Sequence, residues 1–210
     1  MASPWPCPAN LESVVAITPC RRGEVIYARG DPALHWYRIV SGMARQTTEM
    51  AGGRRQIVDF LLPGDFFGFS ARDEHALTVE AALEATVVAR YPRRQVEMLA
   101  SSDPRVARYL RESTFQALAR SQARTLILGR TTAAEKVSSL LAELAERSSD
   151  GTVGAFVLPM SCQDIADYLD LSLKTVSRTL DDLKDRHMVR RMARDRVRVA
   201  DPEALGESGG

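Results

Sequence analysis

The sequence predicts an α+β chain: an antiparallel β-sandwich or barrel, then a long helix, then a winged helix-turn-helix. Three observations predict it. Short β-like runs separated by glycine and aspartate turns fill the text from about Leu11 to Tyr91. After Asp103–Pro104 the apolar spacing changes to that of a helix. Near the end, two short helical patterns joined by a tight turn precede a basic, alternating stretch.

The β-domain is read from "EVIYA", "HWYRIV", "RQIVDFLL" and "ATVVARY", with "RGD", "SGM", "AGGR" and "PGD" between them. Runs of that length with such turns fit an antiparallel sandwich or barrel. Asp103 offers a side-chain acceptor at a helix start, and Pro104 follows where no amide partner is needed. The helical pattern runs to Leu128 and stops at Gly129, a length of about 39 Å. Ala107, Leu110, Thr114, Ala117, Ser121, Arg124 and Leu128 recur at alternating spacings of 3 and 4. Such a seam of mostly small residues suits close packing against a second copy of the chain. Tyr109, Phe115, Leu118 and Leu126 lie off that seam and are expected to face the β-domain.

Thr132 and Glu135 have capping-box spacing at the start of a second helix, whose apolar face is Val137, Leu140, Leu141 and Leu144. "ERSSDGTVG" reads as a loop and "AFVLP" as a short strand. Ser161 and Asp164 form another capping box, opening the helix "QDIADYL". After a turn at Asp170–Ser172 comes "LSLKTVSRTLDDL", with Ser172 as its cap and Val176, Leu180 and Leu183 as its apolar stripe. Beyond it, "MVRRMARDRVRVA" reads as a hairpin turning near Ala193–Asp195. In a motif of this kind the second helix enters the DNA major groove while the first crosses the backbone.

Composition narrows the function. The 210 residues suffice for one large domain or two small ones, and 45% apolar with 26% charged residues is ordinary for a globular protein. No apolar run is long enough to span a bilayer, and the start "MASPWPCPANLESVV" has no basic region followed by an apolar core, so a cytoplasmic location is expected. Net charge is only +1, but Lys184, Arg186, Arg190, Arg191, Arg194, Arg196 and Arg198 gather near the end against Asp185 and Asp195. A local basic surface matters more to nucleic-acid binding than the total. Cys7, Cys20 and Cys162 make no zinc spacing and are read as free thiols. His35, His75 and His187 lie in different elements without a nucleophile or carboxylate at motif spacing, and no phosphate loop is present; no enzyme is expected.

"GEVIYARGD", "YRIVSGMARQ", "GGRRQIVDFLLPGDFFGF", "LGRTTAAEKVSSLL" and "LPMSCQDIADYLDLSLKTVSRTL" follow one another along nearly the whole chain. In this order they resemble the family of the cyclic-AMP receptor protein and the oxygen regulator FNR, nearest to its FixK-type regulators. The resemblance implies an N-terminal β-roll over residues 1–102, a dimerisation helix over 103–129 and a DNA-binding domain over 130–210. It also implies a homodimer on a palindrome with half-sites about one helical turn apart, and activation by contact with RNA polymerase. A repressor of the same family, or a regulator with an unidentified β-roll ligand, is the alternative.

Members that bind cyclic nucleotides hold the ribose with a glutamate after the "FFG" turn and the phosphate with an Arg–Ser pair. Here those positions fall at Phe69 and at His75–Ala76. A buried phosphate needs a fixed cation and donors, which Phe69 and Ala76 do not supply, and His75 is read as a surface residue. FNR-like members hold an iron–sulfur cluster with an N-terminal cysteine group and one more in the β-roll. Only Cys7 and Cys20 lie near the start, so no cofactor is assigned.

In the family pattern "ETVSR", glutamate accepts from cytosine and arginine donates to guanine. The same positions here are "KTVSR", Lys174 to Arg178. Arg178 is expected to read guanine, Ser177 a base edge or phosphate, and Thr175 a phosphate. Lys174 has donors only. It either donates to guanine or thymine and alters a TTGAT-like half-site, or swings to a phosphate and relaxes it. Ser161, Gln163, Arg194 and Arg196 complete the expected DNA contacts; Leu110, Thr114, Ala117, Ser121, Arg124 and Leu128 form the dimer seam. Cys162 stands where many members carry a phosphate-touching arginine. Helix-start amides favour an anionic sulfur, so oxidation there is expected to weaken DNA binding.

Overall fold

The computed structural model describes residues 7–148, 156–158, 160–192, 196–199 and 205. The chain divides into two compact units, residues 2–120 and 121–210.

In the first unit a short helix α1 (Ala9–Glu12) precedes eight strands: β1 (Ala16–Cys20), β2 (Val25–Tyr27), β3 (His35–Ser41), β4 (Ala44–Glu49), β5 (Arg55–Leu61), β6 (Phe66–Phe67), β7 (Thr78–Ala81) and β8 (Thr86–Pro92). They form two sheets of orders β1-β8-β3-β6 and β2-β7-β4-β5, antiparallel at every pairing. This is the expected antiparallel β-domain. Strand residues alternate between two cores, because successive side chains point to opposite faces. Val88, Phe67, Tyr37 and Val79 belong to one core, drawn from every strand from β1 to β8. Ala89, Tyr91 and Phe66 belong to a second, which Leu11, Val96, Val106 and Tyr109 close. Burial on both faces explains why "ATVVARY" reads as continuous apolar text rather than as alternation.

Two turns require glycine. Gly42 has φ +82°, and a Cβ there would stand 2.7 Å from the Thr86 Cα; Gly68 has φ +87°, and a Cβ would stand 2.8 Å from the Tyr37 ring.

Helix α2 (Arg93–Ser102), which the sequence pattern does not single out, joins β8 to α3 (Pro104–Leu128). Only Val96 of α2 is buried, so its apolar stripe is too thin to read. At the start of α3, Asp103 accepts from the Arg105 amide at 2.9 Å, as its sequence foretells. Arg120, with its side chain 9% exposed, bonds Asp59 at 2.9 Å and Asp65 at 3.1 Å.

The orientation of α3 differs from the expected one. Tyr109 is buried as foreseen, but Phe115 (56% exposed) and Leu118 (53%) face away from the core instead of toward the β-domain, and Leu126, which belongs to the second unit, is 72% exposed. Leu110, placed in the dimer seam by its spacing, is 9% exposed and packs in the second core. The physical reason is geometric. At 100° per residue, Val106, Tyr109, Leu110 and Ser113 share the side that meets the sheet, which turns Phe115 and Leu118 away from it.

The second unit contains α4 (Ala133–Ser148), β9 (Phe156–Leu158), α5 (Cys162–Leu169), α6 (Leu173–Asp185), β10 (Val189–Met192) and β11 (Arg196–Val199). The capping box of α4 is reciprocal: Thr132 Oγ1 accepts from Glu135 N at 3.1 Å, and Glu135 Oε2 accepts from Thr132 N at 2.8 Å. Val137, Leu140, Leu141 and Leu144 are all buried, as the spacing foretells. The wing is a sheet of order β10-β11-β9 with antiparallel pairs. Its expected turn at Ala193–Asp195 lies outside the described residues.

Candidate nucleic-acid interface

Two capped helices and a tight turn build the site. Ser161 Oγ accepts from Asp164 N at 3.0 Å, and Asp164 Oδ2 accepts from Ser161 N at 3.3 Å and from Ser161 Oγ at 2.8 Å. Asp164 is 3% exposed, so this box is an interior anchor for α5 and already engages the Ser161 hydroxyl. Helix α5 ends at Asp170, whose backbone is left-handed (φ 55°, ψ 46°). The Leu171 amide then reaches back to Ala166 O at 3.1 Å, a bond that closes the helix as a glycine commonly does. Aspartate tolerates this conformation better than most residues, which is why the turn survives without glycine.

Ser172 caps α6 by accepting from Thr175 N at 3.0 Å. Val176, Leu180 and Leu183 are buried, as is Thr179. On the opposite face stand Lys174 and Arg178, both exposed and one turn apart, with Ser177 partly exposed beside them. The sequence expectation for this face therefore matches its exposure. Thr175 is less available: its Oγ1 pairs with Ser172 Oγ at 2.8 Å within the cap. Asp181 is exposed on the same face, one turn beyond Ser177 and Arg178. The pattern did not single it out, although its spacing of three from Arg178 gives the signal.

On α5, Gln163 is exposed and its Nε2 donates to Asp167 Oδ1 at 2.6 Å. Cys162, partly exposed, occupies the first position of the helix after the Ser161 cap. Lys184 and Arg186 are exposed at the end of α6. Arg196 starts β11 opposite Met192, and Arg194 lies outside the described residues. Of the seam residues on α3, Ala107, Thr114 and Ser121 are exposed, while Ala117, Arg124 and Leu128 are partly buried.

The β-domain positions expected to matter for an effector are filled by packed rings. Phe69 lies 5.4 Å from Trp36 and 5.6 Å from Phe66, centroid to centroid. His75 is not a surface residue: it is 4% exposed and stacks on Tyr27 at 3.7 Å and 15°. Backbone bonds put it there, from Gly30 N to His75 O and from His75 N to Asp31 O, each 2.9 Å. Burial lowers its pKa below the ordinary imidazole value. Ala76 is exposed. Cys7 is partly buried, and burial raises its pKa as well as that of Cys20. Among the described residues, no group of three or more His, Cys, Asp or Glu is placed to hold a metal, and no helix is long and apolar enough to cross a membrane.

Comparison with known proteins agrees with this geometry. Residues 17–103 match the cyclic nucleotide-binding domain family, and residues 135–208 match the Crp-like helix-turn-helix domain family. The chain is 35% identical to the nitrogen fixation regulation protein FixK of Rhizobium meliloti, over 94% of this chain and 89% of that one. It is 34% identical to the transcriptional activator protein FnrL of Cereibacter sphaeroides, over 96% and 84%. Its fold superposes on the structure of FixK2 from Bradyrhizobium japonicum with a TM-score of 0.84 and 35% identity, covering 94% of this chain and 98% of the other.

Proposed function

Because the chain belongs to the Crp/FNR family of transcription regulators and carries its helix-turn-helix DNA-binding domain, we propose that it activates transcription as a homodimer on a palindrome. The single observation that carries the reading is the outer face of α6. Lys174, Ser177 and Arg178 stand clear of the buried Val176–Leu180–Leu183 stripe, on a helix capped at its start. A helix so presented fits the major groove, where Arg178 pairs with guanine and Lys174 with guanine, thymine or phosphate. Gln163, with Ser161 at its cap, lies at the start of the helix that crosses the backbone, and the wing residues Arg194 and Arg196 are assigned to phosphates.

The dimer is assigned to α3. Phe115, Leu118 and Leu126 are large apolar side chains left exposed on one side of it, and they replace Leu110 as the apolar part of the seam. Thr114 and Ser121, both exposed, flank it, while Ala117 is partly buried on the side of Leu110, two turns along. The labour divides as a β-roll over 1–102, a dimerisation helix over 103–129 and a DNA reader over 130–210. Activity without cyclic nucleotide is supported by the aromatic packing of Phe69 and His75, the two positions assigned to ribose and phosphate, and activity without an iron–sulfur cluster by the presence of only Cys7 and Cys20 near the start of the sequence. RNA polymerase is the partner for activation.

Selection of bound DNA from a random duplex pool tests the reading. We expect a palindrome related to TTGAT half-sites, altered or relaxed opposite Lys174, and Lys174→Glu to move that one position back toward the family half-site by roughly ten-fold in preference, about 1.4 kcal/mol. An unmodified family site with no effect of Lys174→Glu contradicts the assignment. Cys162 is assigned as an inhibitory thiol, since oxidation beside a phosphate adds bulk and negative charge. Peroxide should lower operator affinity several-fold in the parent and leave Cys162→Ser unaffected; equal sensitivity of the two proteins removes the assignment.

A further inference from the structure

The compact unit that holds the reading helices begins at Ser121, so the last two turns of α3 fold with α4, α5 and α6. Within that unit, Arg124 carries its guanidinium carbon 5.2 Å from the centroid of the Tyr168 ring. Tyr168 is 3% exposed, next to the end of α5, and Ile127, one turn beyond Arg124, is 6% exposed. A planar cation over an aromatic face is attracted by the ring's negative surface and is sensitive to orientation, which an aliphatic contact is not. Arg124 was read from its spacing as part of the seam between two copies; its side chain instead turns to its own reading domain.

We propose that Arg124 is a positioning residue, locking α5, and through the Asp170 turn α6, to the end of the dimerisation helix and so setting which half-site spacing the dimer accepts. This rests on the homodimer reading above. Half-sites of a palindrome lie about 34–36 Å apart, and a one-base-pair change moves one of them by about 3.4 Å and turns it about the duplex axis. A dimer discriminates such changes only if each reading helix is rigidly referred to the helix that pairs the two copies. A loose joint lets α6 follow the displaced groove. The Arg124–Tyr168 stack joins the two at the boundary where α3 enters the reading unit, and both partners are side chains that no base or phosphate contact requires.

The test uses the full-length protein, its selected palindrome, the same palindrome with one base pair added or removed at the centre, and a single half-site. The parent should bind the native spacing at least ten-fold more tightly than either altered spacing. Arg124→Met, which keeps the length and loses the plane and charge, should lose about ten-fold on the native spacing and less than two-fold on the altered ones. Its single-half-site affinity and melting temperature should stay at the parent's values. Tyr168→Leu should flatten the spacing preference likewise, and the double variant should be no flatter than either single one. Arg124→Lys should fall between Met and the parent; full discrimination with lysine overturns the stack. An unchanged spacing preference in Arg124→Met overturns the proposal, as does a uniform loss on all duplexes together with a lower melting temperature. A parent that is monomeric or indifferent to the palindrome strikes the DNA-reading proposal instead, and is seen before any variant is made.

Discussion

Arg178→Ala will bind the selected palindrome at least about 30-fold more weakly than the parent, with the affinity for any duplex as the floor. Arg178 is exposed on the outer face of α6, held at its place by a helix whose inner stripe is fully packed. A bidentate arginine–guanine pair is worth about 1–3 kcal/mol of discrimination, and a homodimer makes it twice, so about 2–6 kcal/mol is at stake. That is roughly 30-fold at the low end and above 10,000-fold at the high end. Specific sites are commonly bound about 10³-fold or more above non-specific DNA, so that margin caps the loss at its high end. Fluorescence anisotropy titrations of the selected palindrome and of a scrambled duplex give the two affinities. The dependence on salt should barely change, because phosphate contacts are untouched. Arg178→Lys should recover little, since one ammonium cannot form the two parallel bonds of a guanidinium. Equal binding of the palindrome by parent and Arg178→Ala would remove the reading helix from the account.

The second large effect separates two stripes of one helix. Leu118→Glu should turn the dimer into a monomer, whereas Leu110→Ala should loosen the fold. Phe115, Leu118 and Leu126 make three apolar side chains per copy, six in a dimer. At about 1.5–3 kcal/mol each, their burial supplies about 9–18 kcal/mol as an upper figure. Association itself costs about 4–15 kcal/mol, so the surplus is small. Removing two leucines and facing two carboxylates across the interface is enough to cancel it. Light scattering should give half the parent's mass at micromolar concentration, with operator affinity down at least 100-fold. Because Leu118 is 53% exposed within its own chain, the melting of the monomer should move by no more than about 0.5 kcal/mol of stability. Leu110 is 9% exposed in the second core, and truncating it leaves a cavity there, costing about 2–5 kcal/mol of folding stability. If Leu110→Ala dissociates the dimer and leaves the fold intact, while Leu118→Glu does neither, the seam read from spacing alone is the right one.

Both predictions mark how far a linear text carries. The capped helices were legible because their signals are local, whereas α2, with Val96 alone buried, was not. Ser161 with Asp164, Ser172 before α6, and Thr132 with Glu135 each announce a helix start through atoms three residues apart, and each bond is made. Asp170 in the turn and the Val176–Leu180–Leu183 stripe are likewise readable within a single helical pair. The outer face of α6, with Lys174 and Arg178 exposed, follows from that stripe by exclusion.

What the sequence by itself determined is therefore the fold class, the order of its main parts and the capped helices of the second unit with their buried faces, whose starts depend on contacts made within a few residues. Tertiary structure alone decided which side of α3 is covered and where Arg124 and His75 point. Periodicity gives α3 two stripes but no direction, and the choice between them was made by where Phe66 and Tyr91 stand to receive Tyr109 and Leu110. His75 is buried by bonds to Gly30 and Asp31, more than forty residues earlier. Such placements depend on partners distant in the chain, and no local period encodes them.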